Sequence, residues 1–476
     1  MSERVTRRNF LKRTAITAGG VAAALAGVEI ATPLIYKERM EFDANTSPWI
    51  GDRPPKTPPL DKDIEVDVAV IGGGYTGLSA AYHMKRLLPR QTVVVLEARE
   101  LGHGASGRHA GMCLPQTATE FMQIAHPKVH RLIYDVTVQC VKEIMALMHD
   151  EGMGSTIWFK GTLLANLSAE GVRKSREYAE KAVSMGIPVE YWDRERVIHE
   201  LGTTAYLGGL YEPNAAQFNP MMMVHTLKRA TEKAGVIIHE DSTVLKIEEG
   251  EIVRLTVANP HGRLHKVRAK AIVLGTNAYT SKLAYFKNTI TAVHCDMVST
   301  RPLGPDIFAT LGWNSKIQFH DDRTYLITFT ATEDGRIMLG AGNAEYFFNN
   351  GLVYRKNLNL RRPAFQKELA RVYPELEGID FNNIWTGLLD IPLDFEPSVG
   401  VIGKQRNVYY GLGYAGHGVC LAYLFGKIIA DMHAGNSEQW KEMPFFQKRY
   451  IPLPPEPLKY LSVKAYMALL RMQDKL

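Results

Sequence analysis

Apolar residues recur along this chain in two rhythms, and the change from one to the other marks its elements. From Val66 it reads VDVAVIGGGYTGLSAAYHMKRLLPRQTVVVLE. An apolar run of strand length meets a cluster of glycines. Leu78, Ala81 and Tyr82 then follow at i, i+3 and i+4, which predicts a helix that Pro89 stops. Thr92 to Leu96 is continuous and β-branched, as in a strand buried on both faces. Val129, Leu132, Ile133, Val136, Cys140, Ile144, Leu147 and Met148 keep helical spacing, and Cys140 on that stripe reads as an inert buried thiol. Trp158 to Leu167 reads as a strand, followed by a helix to about Met185. After Gln217-Phe218-Asn219-Pro220 comes a helix ending at Gly235, then strands with a turn at Asn259-Pro260-His261-Gly262. Residues 320–342 predict a hairpin with Asp334-Gly335 as its two-residue turn. From Asn407 a strand, a second glycine turn and an apolar helix capped by Gly435 are expected. The tail carries Leu458, Leu461, Tyr466, Leu469 and Leu470 at helical spacing, with Lys459, Lys464 and Arg471 between them. Its modest apolar face suits a helix docked on the protein; peripheral association with a membrane surface is the alternative.

Composition narrows the class. The chain has 476 residues, 46% hydrophobic and 22% charged, enough for a large core and two or three domains. A net charge of +6 is small for this length and sits partly in the N-terminal segment, so no nucleic-acid footprint is expected. Cys113, Cys140, Cys295 and Cys420 form no C-x-x-C pair, which signals neither a disulfide framework nor a zinc site, and no metal ligands are assigned. The N-terminus reads as an address. TRRNFLK, Thr6 to Lys12, resembles a bacterial twin-arginine export signal, and the small, mildly apolar TAITAGGVAAALAGV behind it falls short of the about 20 apolar residues of a membrane span. Ala24-Leu25-Ala26 is a candidate cleavage site, with a retained anchor as the alternative. The twin-arginine translocase is thus an expected partner, and the periplasm or the outer face of the cytoplasmic membrane the expected location. The proline-rich stretch Glu41 to Lys62 reads as an extended linker.

The glycine cluster carries the first chemistry. Gly72, Gly74 and Gly77 occupy the three places of G-x-G-x-x-G between a strand and a helix, and Glu97 ends the next strand 20 residues later. Gly72 permits the tight turn, Gly74 lets backbone approach a pyrophosphate, and Gly77 lets helix and strand pack closely. The helix N-terminus faces the phosphates, and Glu97 can accept hydrogen bonds from a ribose hydroxyl. The motif implies a dinucleotide without separating FAD from NAD. Ala98 to Met112 is a second, polar and glycine-rich loop that lets backbone come close to a ligand.

Three motifs carry a family resemblance: VAVIGGGYTGLSAAY with Glu97, GASGRHAGM, and GYAGHGVCLA from Gly413 to Ala422. Together with QFNP, VLGTNAYT and WTGLLDIPLDFEPSVG, they make the chain similar, over about residues 64–450, to the FAD-dependent amine and amino-acid oxidoreductases of the D-amino-acid oxidase family. That family includes glycine oxidase, sarcosine oxidase, dimethylglycine dehydrogenase and gamma-glutamylputrescine oxidase. The resemblance implies an α/β fold: a Rossmann-like FAD domain of the glutathione-reductase type, interleaved with an α+β substrate domain built on a mixed sheet. The expected segments are 1–36 signal, 37–60 linker, 61–130, 206–285 and 376–440 FAD domain, 131–205 and 286–375 substrate domain, and 441–476 tail helix. It places FAD against Gly72, Gly74, Tyr75, Thr76, Gly77, Glu97, Ala98 and Arg99. The loop Gly104, Ala105, Ser106, Gly107, Arg108, His109, Ala110, Gly111 and Met112 follows, with Val244 at the adenine end. Thr276, Asn277, Gly387, Gly413, Gly416, His417 and Gly418 complete the set.

The same resemblance implies hydride transfer from an amine-bearing carbon of a small amine or amino acid to flavin N5, giving an imine that hydrolyses. Oxygen, a quinone or a cytochrome would then accept the electrons. His109, His417 and Tyr325 are the candidate catalytic residues. Two roles stand open for His109: a covalent bond to the flavin, as made by a histidine in a similar loop of the dimethylglycine dehydrogenases, or a hydrogen bond beside the ring. Arg323 is expected to be solvated beside Asp321 and Asp322, with pairing to a substrate carboxylate as the alternative. Cys420 stands where sarcosine oxidases carry a lysine for the substrate carboxylate, and Met112, Cys113, Leu114 and Pro115 where they carry arginines. A plain N-methyl amino acid is therefore a poor candidate substrate. Two other functions remain compatible with the motifs: a flavin dehydrogenase of a non-amine substrate such as a 2-hydroxy acid, and a flavin-bearing electron-transfer or assembly subunit without its own substrate.

Overall fold

A computed structural model describes residues 40–43, 45, 47–116, 124, 126–158 and 160–473. The twin-arginine segment, its apolar run and the candidate cleavage site lie outside them. Among the described residues no helix is long and apolar enough to cross a membrane.

Two eight-stranded sheets organise the chain. In the first, Ile64–Ile71 lies at the centre, parallel to Val93–Leu96 on one side and to Leu264–Leu274 on the other. Ile237–His239 extends it parallel beyond Val93–Leu96. The long strand Leu264–Leu274 shows why the pattern changes along it. Its first half alternates exposed and buried residues, where it pairs antiparallel with Val253–Ala258; its last four residues are all buried, where parallel strands flank both edges. The helix Tyr75–Leu87 covers one face and packs on the apolar helix Gly418–His433. The approach is close: a Cβ on Gly426 would meet Ser79 Oγ at 2.5 Å, and Ser79 donates to Tyr423 O at 2.6 Å.

The second sheet runs Phe381–Pro392, Ile290–Thr300, Ile337–Tyr346, Ile327–Ala331, Gln318–Asp321, Thr162–Asn166, Gly208–Glu212 and Glu190–Trp192. Its core is a separate aromatic cluster that includes Trp313, Phe319, Phe329 and Tyr373. Several sequence boundaries move. Gly208–Glu212 and Phe381–Pro392 both pair in this sheet, although boundaries at 206 and 376 place them with the nucleotide part. The helix Pro127–Asp150 packs its Val141, Ile144 and Met148 into the first core, across the boundary at 130. Register and packing partners are tertiary facts that local periodicity does not carry.

Two local expectations are also corrected. The run from Trp158 to Leu167 is two strands, Ile157–Trp158 in a small third sheet and Thr162–Asn166 in the second. Gly161 breaks it, at φ +74° and with no room for a side chain beside Glu212 O. The hairpin connection after Ala331 spans Glu333, Asp334 and Gly335, closed by Thr332 N to Arg336 O at 2.9 Å, rather than two residues. It is a three-residue loop with glycine in the left-handed place.

The proline-rich stretch is not a free linker. Trp49 and Leu60 are buried in the body, and Thr57 N donates to Glu240 Oε2 at 2.6 Å. Leu60 N donates to Ser242 Oγ at 2.9 Å. Proline fixes an extended path, but the apolar and polar groups between the prolines find partners, so the segment lies along the surface as a strap. The tail helix Leu458–Gln473 docks as expected. Lys459 is buried and donates to Ile290 O at 2.7 Å and Asn350 Oδ1 at 2.9 Å, and Lys464 pairs with Glu345.

Candidate functional site

The central strand ends at Ile71, and the chain must turn at once into the helix starting at Tyr75. Gly72 takes φ +101° and hands its N–H to Leu96 O at 2.9 Å. A Cβ on Gly77 would sit 1.9 Å from Gly72 O, so the turn closes only with glycine there. The Gly73 N–H goes to Glu97 Oε2 at 2.6 Å and the Arg99 N–H to Glu97 Oε1 at 2.9 Å, which ties the end of the second strand to the turn. Burial raises the Glu97 carboxyl pKa despite these bonds.

The loop over 104–112 is held from outside itself. Ser106 Oγ accepts the Tyr75 N–H at 3.0 Å, reaching the helix N-terminus. Three successive carbonyls of the loop each receive a donor: Gly107 O from Ser47 Oγ at 2.6 Å, Arg108 O from Trp385 Nε1 at 2.9 Å, and His109 O from Trp49 Nε1 at 3.0 Å. Two of the three donors come from the strap. Arg108 is buried. Its Nε donates to His103 O at 2.7 Å, and its Nη1 to Thr386 O at 2.9 Å and Asn45 Oδ1 at 3.1 Å.

His109 is fixed through both ring nitrogens. Nδ1 accepts the Gly111 N–H at 3.0 Å, which leaves the proton of the neutral ring on Nε2. Nε2–H then donates to Tyr75 Oη at 3.0 Å, and Tyr75 Oη donates to Pro220 O at 2.9 Å. Burial lowers the His109 pKa to about 3. The second glycine turn is organised by Asp390, whose carboxylate accepts Gly413 N–H at 2.6 Å and Tyr414 N–H at 3.1 Å. Tyr414 Oη reaches Thr76 Oγ1 at 2.7 Å, so the two glycine turns are joined. Burial pushes the Asp390 carboxyl up to about 7.

These elements line two adjoining cavities. The first, about 170 Å³, is walled by Gly72, Gly74, Tyr75, Thr76, Glu97, Ala98, Gly104, Ser106, Val244, Thr276, Asn277 and Gly418. The second, about 480 Å³, is walled by Arg108, Ala110, Met112, Tyr325, Gly387 and His417, with residues of the second sheet and the tail helix. Ala105, His109, Leu389, Gly416 and Val419 line both. Gly77, Arg99, Gly107, Gly111 and Gly413 stand behind the walls. Gly77 packs on Gly72 O, Gly107 on Gly102 O, Gly111 on Phe218 O and Gly413 on Tyr450, while the Arg99 guanidinium lies 6.0 Å from the Phe42 ring. Arg323 belongs to neither cavity and is not a simply solvated cation. It grips Asp321 and Glu368 with Nε, Nη1 and Nη2, and Asp321 is fully buried.

Sequence reasoning missed several wall residues. Phe42 lines the first cavity and stacks on Tyr279 with centroids 5.6 Å apart. His320 lines the second; burial and the neighbouring His417 lower its pKa to about 3, and burial lowers that of His417 to about 4. Val463, Tyr466, Met467 and Leu470 of the tail helix form a wall of the second cavity. Their helical spacing was legible; what they face was not.

The first cavity fits a dinucleotide. A helix N-terminus and side-chain-free backbone line it, a carboxylate stands at the end of the second strand, and Asn277 Oδ1 is buried on its wall without a partner.

The comparisons agree with this geometry. Residues 67–432 match the family model described as FAD dependent oxidoreductase. The chain is 26% identical over 394 residues to a probable oxidoreductase, OrdL, of Haemophilus influenzae, covering 80% of this chain and 86% of that protein. It is likewise 26% identical over 395 residues to the gamma-glutamylputrescine oxidoreductase of Escherichia coli, with the same 80% and 86% coverage. Among solved structures, glycine oxidase from Geobacillus kaustophilus superposes with a TM-score of 0.68 at 19% identity, covering 81% of this chain and 99% of that one.

Proposed function

The chain belongs to the FAD dependent oxidoreductase family, and from that premise we propose that it oxidises an amine or amino acid at the carbon bearing nitrogen. The observation that carries this reading is the wall the two cavities share at Ala105, His109, Leu389, Gly416 and Val419: a dinucleotide site adjoins a large chamber. A chamber of about 480 Å³ suits an enzyme with its own substrate better than an electron-transfer subunit.

FAD held in the first cavity would supply the two-electron acceptor for hydride from the amine-bearing carbon, and water would hydrolyse the imine product. The protein's part is to bind, orient and desolvate. Gly72, Gly73 and Tyr75 spend their N–H groups inside the protein, so the pyrophosphate would be held by the other N–H groups and the dipole of the helix N-terminus, and Glu97 would take the ribose hydroxyls. The chamber favours the neutral amine, the form that can release hydride, because burial disfavours an ammonium. His109, His320 and His417 have pKa values lowered to about 3, about 3 and about 4, so they are uncharged at neutral pH and supply hydrogen-bonding edges, not a titrating base. Asp390 positions the second glycine turn through two backbone N–H groups. The His109 ring spends both nitrogens on Gly111 and Tyr75, which favours FAD held without a covalent bond.

Anaerobic bleaching of the flavin absorbance tests the reaction class. Amines or amino acids should bleach it; bleaching by 2-hydroxy acids alone would sink the reading. Adding oxygen or a quinone afterwards separates oxidase from dehydrogenase. The sequence around Arg7 and Arg8 supports export of the folded protein by the twin-arginine route. A double R7K/R8K variant should remain in the cytoplasmic fraction; unchanged delivery to the periplasm or the membrane's outer face would refute that assignment.

A further inference from the structure

The second cavity is large, yet it offers almost nothing to a charged substrate. Among the described residues no aspartate, glutamate or lysine lines it, and its histidines are neutral. Among them Arg108 is the one permanently charged group on the wall, and two of its three nitrogens are already engaged. A carboxylate is gripped by two neighbouring N–H groups of a guanidinium, either Nε with Nη2 or Nη1 with Nη2. Nε is spent on His103 O and Nη1 on Thr386 O and Asn45 Oδ1, so each pair has lost a member. Three carboxylates around the chamber are paired behind its wall: Asp296 with Arg361, Asp321 with Arg323, and Glu345 with Lys356 and Lys464. Asn343 on the wall is occupied as well, receiving Arg471 Nη2 at 2.8 Å. Thr328 Oγ1 is buried on the wall without a partner and can bond one neutral atom of a ligand.

The remaining wall is mostly apolar, with hydroxyl side chains such as Tyr325, Ser462 and Tyr466 among its aliphatic groups. The tail helix brings Val463, Met467 and Leu470 to it, and this helix lies beyond residue 432, where the family match ends. From this lining we propose that the substrate is a carboxylate-free amine with hydrocarbon substituents, and that the tail helix selects it. The proposal rests on the amine reading above and narrows it. A carboxylate entering this chamber would lose its water and gain no two-point grip, since only Nη2 of Arg108 is left to meet it, which disfavours amino acids against the matching amines by about 100-fold.

Matched pairs test this. Holoprotein is mixed anaerobically in stopped flow with pentylamine or norleucine, and with benzylamine or phenylglycine (racemic), and flavin reduction is followed. Each pair differs only in the carboxylate. The expected result is an apparent second-order rate at least about 100-fold higher for the amine of at least one pair. Equal or faster reduction by the amino acids overturns the proposal while leaving the amine-oxidoreductase reading standing. Reduction by neither member of either pair, in protein whose flavin dithionite bleaches, also overturns it. Reduction by 2-hydroxy acids alone overturns the broader reading with it. A second arm uses V463R, which carries a guanidinium into the wall from the docked helix. With the flavin spectrum unchanged, norleucine should gain about 10-fold relative to pentylamine. An unchanged ratio would refute the assignment of the tail helix as the selecting wall.

Discussion

Asp390 gives the sharpest quantitative test, because two opposing effects act on one buried carboxyl. Two backbone N–H groups of the second glycine turn favour its ionised form, at 2.6 and 3.1 Å, while full burial opposes it. Burial is the stronger and lifts the pKa from 3.8 to about 7. Between about pH 4 and about pH 7 the folded chain therefore holds a proton that the unfolded chain has released. The stability this confers is present below the window and is lost as pH rises through it. At about 1.4 kcal/mol per tenfold, the gap amounts to about 4 kcal/mol. In Asp390→Asn the side chain cannot ionise. Its oxygen serves one N–H and its amide group faces the other, a cost of about 1–3 kcal/mol that does not change with pH. The wild type should therefore be the more stable protein near pH 4 and lose that lead towards pH 8. Comparing the two proteins cancels every other titrating group. For a chain of 476 residues the lead should shrink by about 4 °C in thermal midpoint across that range. Midpoints that stay a constant distance apart, within about 1 °C, would refute the claim that burial dominates this carboxyl.

Three further outcomes are expected. Acid precipitation of the holoprotein should leave all flavin in the supernatant, because both nitrogens of His109 are engaged; a yellow pellet would contradict this. Trp49→Phe removes the donor to His109 O and should weaken FAD binding by about 10-fold, in line with about 1–2 kcal/mol for one buried hydrogen bond; an unchanged dissociation constant in titration would refute a role for the strap. Arg323→Met leaves Asp321 and Glu368 with Arg371 alone, at 3.8 and 3.0 Å, and should destabilise by about 2–3 kcal/mol in chemical denaturation. Its KM should not change; a raised KM at unchanged stability would instead place Arg323 at the substrate.

What the sequence disclosed follows the range of the forces involved. Gly72, Gly74 and Gly77 were legible because the turn they form is dictated by neighbours within a few residues, and Glu97 because a strand of set length separates it from them. The second glycine turn and the loop at 104–112 were recognisable as motifs, although Gly107, Gly111 and Gly413 proved to support the walls from behind. The strap was misread because proline content reports backbone stiffness and says nothing of what the intervening side chains touch. Asn45 and Thr386, which bond each other through Thr386 N at 2.8 Å, lie 341 positions apart. Asp390 gave no local signal for the same reason, since its partners sit more than twenty residues on. The tail helix was visible as a helix, but a face that closes a chamber and a face that rests on a surface look alike in periodicity.

The strap has a kinetic consequence for the cofactor. Met40 and Phe42 wall the nucleotide cavity, and Ser47 and Trp49 latch the loop behind it. The strap therefore couples the cofactor site to a segment distant in sequence through contacts the ligand never makes. Loosening or cleaving the strap should speed flavin exchange even where the residues that face the phosphates are untouched.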